Sequence, residues 1–285
     1  MHPLTRPVMA SEIATMLTLS LVGVDRRLTH IASLSDMQPG ALGFATEGAS
    51  HSSEGGTLIA ALPAEGGDGN TFLVSANPRL DFIRALRGLK REGLLLDIAL
   101  TGAIDESAKI HPTATVEAGA DIGAGVTVGE YAVIKSCVSV KPGATIGAHT
   151  VLGSNGFGFE RDERGAPLRF PHLGRVLIGE DVDLGSHCCV DRGALGDTVV
   201  SRFVKCDHHT YIAHGVHVGP STLIMSGARL NGSSKVGERC WIGTSALIKE
   251  GVRVGADTII GMGSVVISDV SSNSTVAGVP AKSLR

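Results

Sequence analysis

Aliphatic side chains recur every six residues through most of this chain. One run holds Ile104, Ile110, Val116, Ile122, Val128, Ile134, Val140, Ile146 and Leu152. A shorter one holds Ile178, Leu184 and Val190, and a third keeps phase from Val200 through Cys206, Ile212 and Val218 to Val266. A six-residue period fits neither the 3.6-residue helical repeat nor strand alternation. It predicts a left-handed parallel β-helix of hexapeptide repeats, each coil made of three short strands. The position two before each aliphatic is small or apolar (Ala108, Ala114, Ala120, Val126, Ala132), as a second inward slot requires. The position after it is often Gly, as in Ile122-Gly123, Val128-Gly129 and Ile242-Gly243, where a turning chain leaves no room for a Cβ. The 24 repeats make about eight coils, a prism roughly 38 Å long at the spacing of neighbouring strands. Equivalent corners recur every eighteen residues, so side chains distant in sequence share one surface.

The phase breaks twice. Leu152 to Ile178 is 26 residues, two more than four hexads, and Gly153–Arg175 reads as an external loop. Val190 to Val200 is ten residues, so Asp191–Thr198 should bulge from a corner. Insertions in repeat proteins collect on the binding face, which makes both breaks candidate site elements.

Residues 1–100 lack the hexad. Ser11, followed by Ile13, Met16 and Leu17, reads as a helix start. Thr57–Ala61 and Thr71–Ser75 read as strands separated by the Gly-rich turn Glu65–Asn70. Asn77 and Pro78 supply an N-cap and first-turn pair for a helix reaching about Glu92 and stopped by Gly93, with Phe82, Leu86 and Leu89 on one face. The expected organisation is a small α/β domain over 1–100, the β-helix over 101–270 and a C-terminal tail over 271–285.

Apolar content of 43% with 4% aromatics suits a core of stacked Val, Ile and Ala, and a net charge of −3 gives no reason to expect nucleic acid. Five cysteines without a CxxC pair argue for a reducing compartment, and Cys206 in an inward slot reads as a core hydrophobe. Nothing approaches 18 uninterrupted apolar residues, so no stable membrane insertion is expected and the location implied is cytoplasmic.

Three segments carry a family likeness: Gly153-Ser-Asn-Gly-Phe-Gly-Phe159; Pro171-His-Leu-Gly-Arg175; and Asp191-Arg-Gly-Ala-Leu-Gly-Asp-Thr198 followed by Ile212-Ala-His-Gly-Val216. With Pro39-Gly-Ala-Leu-Gly-Phe44 and Asn77-Pro78, they resemble the UDP-3-O-acylglucosamine N-acyltransferases of lipid A synthesis and relatives acting on nucleotide-linked amino sugars. The resemblance implies a homotrimer with sites in the clefts between prisms, an acyl donor lying along the prism, and His214 as general base. It makes Phe44, Asn155, Asp191, Arg192 and His208 candidate substrate contacts. Four departures stand out. No histidine follows His217, whereas the lipid A enzyme has a second one further along. Gly215 replaces the usual Asn. Phe44 matches half of a uracil-stacking pair, but Ala45–Ser53 contains no tyrosine. The ending, Val276-Ala-Gly-Val-Pro-Ala-Lys282-Ser-Leu-Arg285, resembles coenzyme A-dependent hexapeptide acetyltransferases. It makes Gly243, Gly261, Ala277 and Lys282 candidate donor contacts, with Lys282 and Arg285 meeting phosphates.

His208, His209, His214 and His217 lie within ten residues, in a chain of eleven histidines. As a base, His214 sits two past the inward Ile212, outside the core slots, and imidazole titrates in the range that takes a proton from an attacking amine. Asp197, about one coil earlier, is the candidate to orient it. Asp191 and Arg192 either contact the sugar or hold the bulge together as an ion pair. A second reading takes the His209-x4-His214-Gly spacing as that of γ-class carbonic anhydrases, with zinc between subunits and His187 or His172 as third ligand. A third makes the cluster surface packing on a non-catalytic trimeric scaffold. The favoured expectation is an N-acyltransferase without metal. Its acceptor is a nucleotide-linked amino sugar and its donor acyl-coenzyme A. The alternative is the true lipid A enzyme using acyl carrier protein.

Overall fold

The computed structural model describes residues 1–46, 55–61, 69–97 and 100–284. The stretch Ala45–Ser53 and the turn Glu65–Asn70 fall largely outside those residues, and Arg285 lies outside them too. The chain divides into two units, Met1–Asp97 with Phe157–Pro171, and Ile98–Gly156 with His172–Arg285.

In the first unit, β1 (His2–Met9), α1 (Ala10–Leu17), β2 (Ser20–Val22), β3 (Arg27–Ile31), β4 (Ala41–Phe44), β5 (Thr57–Ala60), β6 (Thr71–Val74) and α2 (Pro78–Arg91) follow in chain order. The strands form one sheet in the order β1-β3-β4-β5-β6-β2. β5 and β6 pair in parallel, so they are not the two arms of a hairpin. The first helix starts at Ala10, with Glu12 accepting the Met9 N–H at 2.8 Å; Ser11 lies inside it and donates to Asp25. The second is capped as its sequence predicts: Asn77 Oδ1 accepts the Leu80 N–H at 3.1 Å, Pro78 opens the first turn, and Leu80, Phe82, Ile83, Leu86 and Leu89 are buried.

The insertion read as an external loop contains a hairpin of this unit. Phe159–Arg161 pairs antiparallel with Pro167–Arg169, and Asp162 Oδ1 accepts the N–H groups of Arg164 and Ala166 in the turn. Arg79 pairs with Glu160 at 3.2 Å and Arg84 with Glu163 at 2.6 Å, while Phe170 lies 6.1 Å from Phe82. The hairpin is therefore seated on the second helix.

The second unit is a parallel β-helix whose three faces hold ten, eight and seven strands. Inward aliphatics stack in register, as Ile134↔Leu152 and Val218↔Val236, and Val126, Ala132 and Ala144 fill the second inward slot, fully buried. Thr150, Thr222 and Ser264 occupy that slot elsewhere. Their hydroxyls are satisfied by backbone: Thr150 donates to the Gly185 carbonyl at 2.8 Å and accepts the Cys188 N–H at 3.1 Å. The glycines after the aliphatics serve close approach between coils: a Cβ at Gly179 would stand 2.5 Å from Arg202 N. Left-handed φ falls two positions later, at one corner on Tyr131, His149, His187 and His209 in turn. Their rings stack at 5.1, 4.8 and 5.1 Å, which accounts for three of the histidines as a ladder.

Leu152 pairs with Val190 and Ile178 with Val200. Leu152 lies on the second face and Ile178 on the third, so the first gap is one hexad step plus a twenty-residue excursion, and the second is one step plus four. The expected tail over 271–285 is instead a cap. Thr275–Ala277 adds to the first face beside Ile259–Ile260, Val276 fills an inward slot, and Lys282–Ser283 folds back antiparallel on it.

Candidate active site

The two excursions leave the prism at the same corner, between its second and third faces, and there they are laced together. Leu173 N–H donates to the Ala194 carbonyl at 2.7 Å and Gly174 N–H to Gly193 at 2.9 Å. Arg192 is only 7% exposed, and its guanidinium donates to the carbonyls of Gly174 and Leu173 at 2.8 and 3.0 Å. It braces the excursion from inside, which removes it as a sugar contact. Asp197 binds Arg175 through both carboxylate oxygens, at 2.7 Å to Nη2 and 3.2 Å to Nε, and also accepts the Arg175 N–H at 2.9 Å. This clamp ties the second excursion to the first. The ion pair that joins the two breaks is thus Arg175–Asp197. A Cβ at Gly174 would fall 1.9 Å from the Gly196 carbonyl oxygen, so the lacing needs its glycines.

His214 follows Ile212 on the second face and precedes the third-face strand His217–Val218, so it occupies the corner of the excursions. It is half-buried. Glycines bound its ring: a Cβ at Gly156 would stand 2.8 Å from Cδ2, and one at Gly232, a coil further on, 2.6 Å from Cε1 and 2.7 Å from Nε2. The buried His172 meets it nearly edge-on, with ring centroids 5.3 Å apart and planes at 72°. Gly215 takes φ +69, a conformation that suits Gly or Asn, so its departure from the usual Asn leaves the corner intact. Its N–H donates to Thr198 Oγ1 at 2.9 Å.

Asp191 is a carboxylate that feels the charge of His214. Burial raises its pKa, while the Tyr211 hydroxyl, the Cys189 thiol and the charge of His214 each pull it back. Tyr211 donates to Asp191 Oδ2 at 2.6 Å. Burial and the neighbouring Asp191 push the Cys189 thiol up to about 12, so the Cys188-Cys189 pair holds no ready thiolate. Such a group can take a proton on the imidazole and hold the resulting cation opposite a carboxylate.

Other expected site residues fall elsewhere. His208 lies at the corner between the first and second faces, exposed, accepting the Ser186 N–H on Nδ1 at 2.8 Å. His209 shares that corner, so the His209-x4-His214 pair spans two corners. Asn155 is exposed at the end of the strand beside Arg192. Phe44 lies in the first unit against Phe82, centroids 4.8 Å apart. Gly243 and Gly261 are close-approach positions: their Cβ atoms would meet Met262 N at 2.6 Å and Ala277 Cβ at 2.8 Å. Ala277 and Lys282 pair with each other in the cap.

The sequence reading missed a groove of about 550 Å³ on the third face, lined by Val199, His217, Lys235, Arg253, Asp269 and Ser272 among others. His217, Lys235 and Arg253 are register partners on successive strands. Lys235 and Arg253 have no ion-pair partner among the described residues. Their eighteen-residue spacing was the signal available.

A family model for the bacterial transferase hexapeptide (six repeats) matches residues 233–268. Among solved structures, the UDP-N-acetylglucosamine acyltransferase from Campylobacter jejuni superposes with TM-score 0.52 at 18% identity, over 62% of this chain and 74% of that one, a likeness of fold. The UDP-3-O-acylglucosamine N-acyltransferase of Bordetella pertussis is 38% identical over 60% of this chain, which spans 43% of that relative's length. The Coxiella burnetii protein of the same name is 32% identical over 79% of this chain and 74% of its own length. A match of that extent, with both phase breaks converging on the Ile-Ala-His corner, places this chain in the UDP-3-O-acylglucosamine N-acyltransferase family.

Proposed function

We propose that the protein transfers an acyl group from a thioester to the amine of a UDP-linked 3-O-acylglucosamine, with His214 as general base. The observation that carries this reading is the convergence at one corner: both excursions laced together, His214 framed by two glycines, and Asp191 coupled to it. His214 takes the proton as the amine attacks the thioester carbonyl. Asp191 stabilises the imidazolium, and the proton then passes to the leaving thiolate. Backbone N–H groups at the corner hold the developing oxyanion. The Lys235–Arg253 groove supplies cations for the phosphate of the donor arm.

A homotrimer completes the site in this reading. Leu223, Trp241 and Ile259, 37%, 44% and 47% exposed, form an apolar column on the first face that suits burial against a second copy. Among the described residues, no helix is long and apolar enough to cross a membrane.

The test is product formation. Purified protein given UDP-3-O-acylglucosamine and an acyl thioester should yield the N-acylated sugar nucleotide by mass spectrometry. His214→Ala should lower its rate about 10² to 10⁴-fold without changing the melting profile. Near-wild-type turnover in that variant would remove His214 as the base.

A further inference from the structure

We infer that His172 is a positioning residue for His214, and that returning this second imidazole to the corner is one task of the first excursion. The inference rests on the reading of His214 as the base and adds to it the group that fixes its ring.

His172 is 2% exposed, so it does not meet substrate; whatever it does passes through a neighbour. The ring it meets is that of His214, 5.3 Å away at 72° between ring planes. In this arrangement the positive edge of one ring faces the negative face of the other, an orientation-dependent contact. Gly156 makes it possible: a Cβ there would lie 2.8 Å from His214 Cδ2 and 3.0 Å from His172 Nε2, wedged between the two rings. His214 is thereby bounded by Gly156 and His172 toward Cδ2 and by Gly232 toward Cε1 and Nε2.

The hexad does not place His172. It stands where the chain re-enters the β-helix unit. The next two residues are fixed by Leu173 N–H to Ala194, Gly174 N–H to Gly193, and Arg192 on both their carbonyls. A buried, braced imidazole edge-on to a base is the means by which a ring is held in one attack geometry, and small misplacements of such a group are costly in rate. Titratable and charged groups beside the pair include Asp191, with Tyr211 and Cys189 bonded to it, and Arg192 on the carbonyls that follow His172, so the titration of His214 is compared between variants that leave these groups unchanged.

The experiment compares full-length wild type, His172→Ala and His172→Phe by steady-state kinetics across pH and by NMR titration of the His214 imidazole. His172→Ala should lower kcat about tenfold or more, leave KM for both substrates within about threefold, and shift the His214 resonances and titration midpoint. His172→Phe, which keeps a ring edge but no nitrogen, should restore most of kcat and the wild-type pH profile. Unchanged kcat and His214 titration in His172→Ala overturns the inference, as does a folded His172→Phe that remains as slow as His172→Ala. If His172→Ala does not fold, His172→Phe alone decides: near-wild-type kcat supports positioning by the ring, and a folded but slow protein sinks it. The NMR readout does not depend on turnover, so failure here is distinct from failure of the base assignment, which His214→Ala decides.

Discussion

At the scale of single residues, the glycines around His214 matter as much as the imidazole. Gly232 is not in the left-handed region, so its backbone accepts alanine, yet the new Cβ would stand 2.6 Å from Cε1 of His214. The ring must give way. Gly232→Ala should melt with the wild type but turn over about 10²-fold more slowly, the usual consequence of displacing a positioned group; an unimpaired kcat in this variant would mean that the ring can relax. Asp191 makes a complementary case. Burial raises its folded-state pKa above the unfolded value, so the stability it contributes is full below the unfolded pKa and lost as pH rises through the folded one. Above that window the ionised carboxylate is a cost to folding, retained for its effect on His214. Asp191→Asn should therefore melt at or above the wild-type temperature at about pH 7 to 8, with the advantage fading toward about pH 4, while activity falls. Melting curves across pH check the sign: a lower Tm at neutral pH contradicts it. The corner position of His214 was legible beforehand because it lies two residues past the inward Ile212. Gly156, Gly232 and Tyr211 were not, since their meaning lies in what the next coil places against them.

At the scale of elements, the repeat was readable because each hexad obeys a local rule: one inward aliphatic, one small partner, one glycine where the next coil comes close. Departures from the rule were located but not interpreted. The first gap is one step plus a twenty-residue excursion, and its hairpin escaped notice because each strand is only three residues long, too short to show alternation. Asp197 was read as a partner of His214 from its distance in sequence, and its bond to Arg175 across the two breaks was not foreseen. This clamp is partly exposed, 41% on the arginine and 23% on the aspartate, so after allowance for solvent screening Asp197→Ala should cost about 1 kcal/mol of global stability. Its larger effect should be local. With the lacing loosened, His172 and His214 lose their frame, and turnover should drop at least tenfold while limited proteolysis between residues 153 and 175 accelerates. Equal protease resistance in wild type and variant would show that the backbone bonds between the excursions suffice without the ion pair.

For the whole molecule, the unresolved choice is the thioester carrier, and the fold changes the grounds on which it is made. Coenzyme A was favoured by the resemblance of the last ten residues to acetyltransferase endings. Within the described part of that ending, Val276 is an inward rung, Ala281 N–H donates to the Val265 carbonyl at 2.8 Å, and the backbone of Lys282 pairs with that of Ala277. Loss of this cap would uncover the final coil and cost stability whatever its effect on the donor. Lys235 and Arg253, without an ion-pair partner among the described residues, line the groove that also includes His217, three residues after His214. Coenzyme A and acyl carrier protein present the thioester on the same phosphopantetheine arm, so either donor brings that arm's phosphate to this face, and an acidic carrier protein adds its own negative surface to a column of positive charge. With the ending no longer speaking for coenzyme A, and with the nearest structural candidate for a phosphate site lying along the prism, the carrier protein becomes the expected donor. The double variant Lys235→Ala/Arg253→Ala should raise KM for the donor about tenfold or more, with KM for the sugar nucleotide little changed and a weaker dependence on ionic strength than wild type. Competition between acetyl-coenzyme A and a hydroxyacyl-carrier protein should favour the latter. If acetyl-coenzyme A wins, the chain serves a short-chain acylation; if the double variant leaves both donors unaffected, the arm runs along another face.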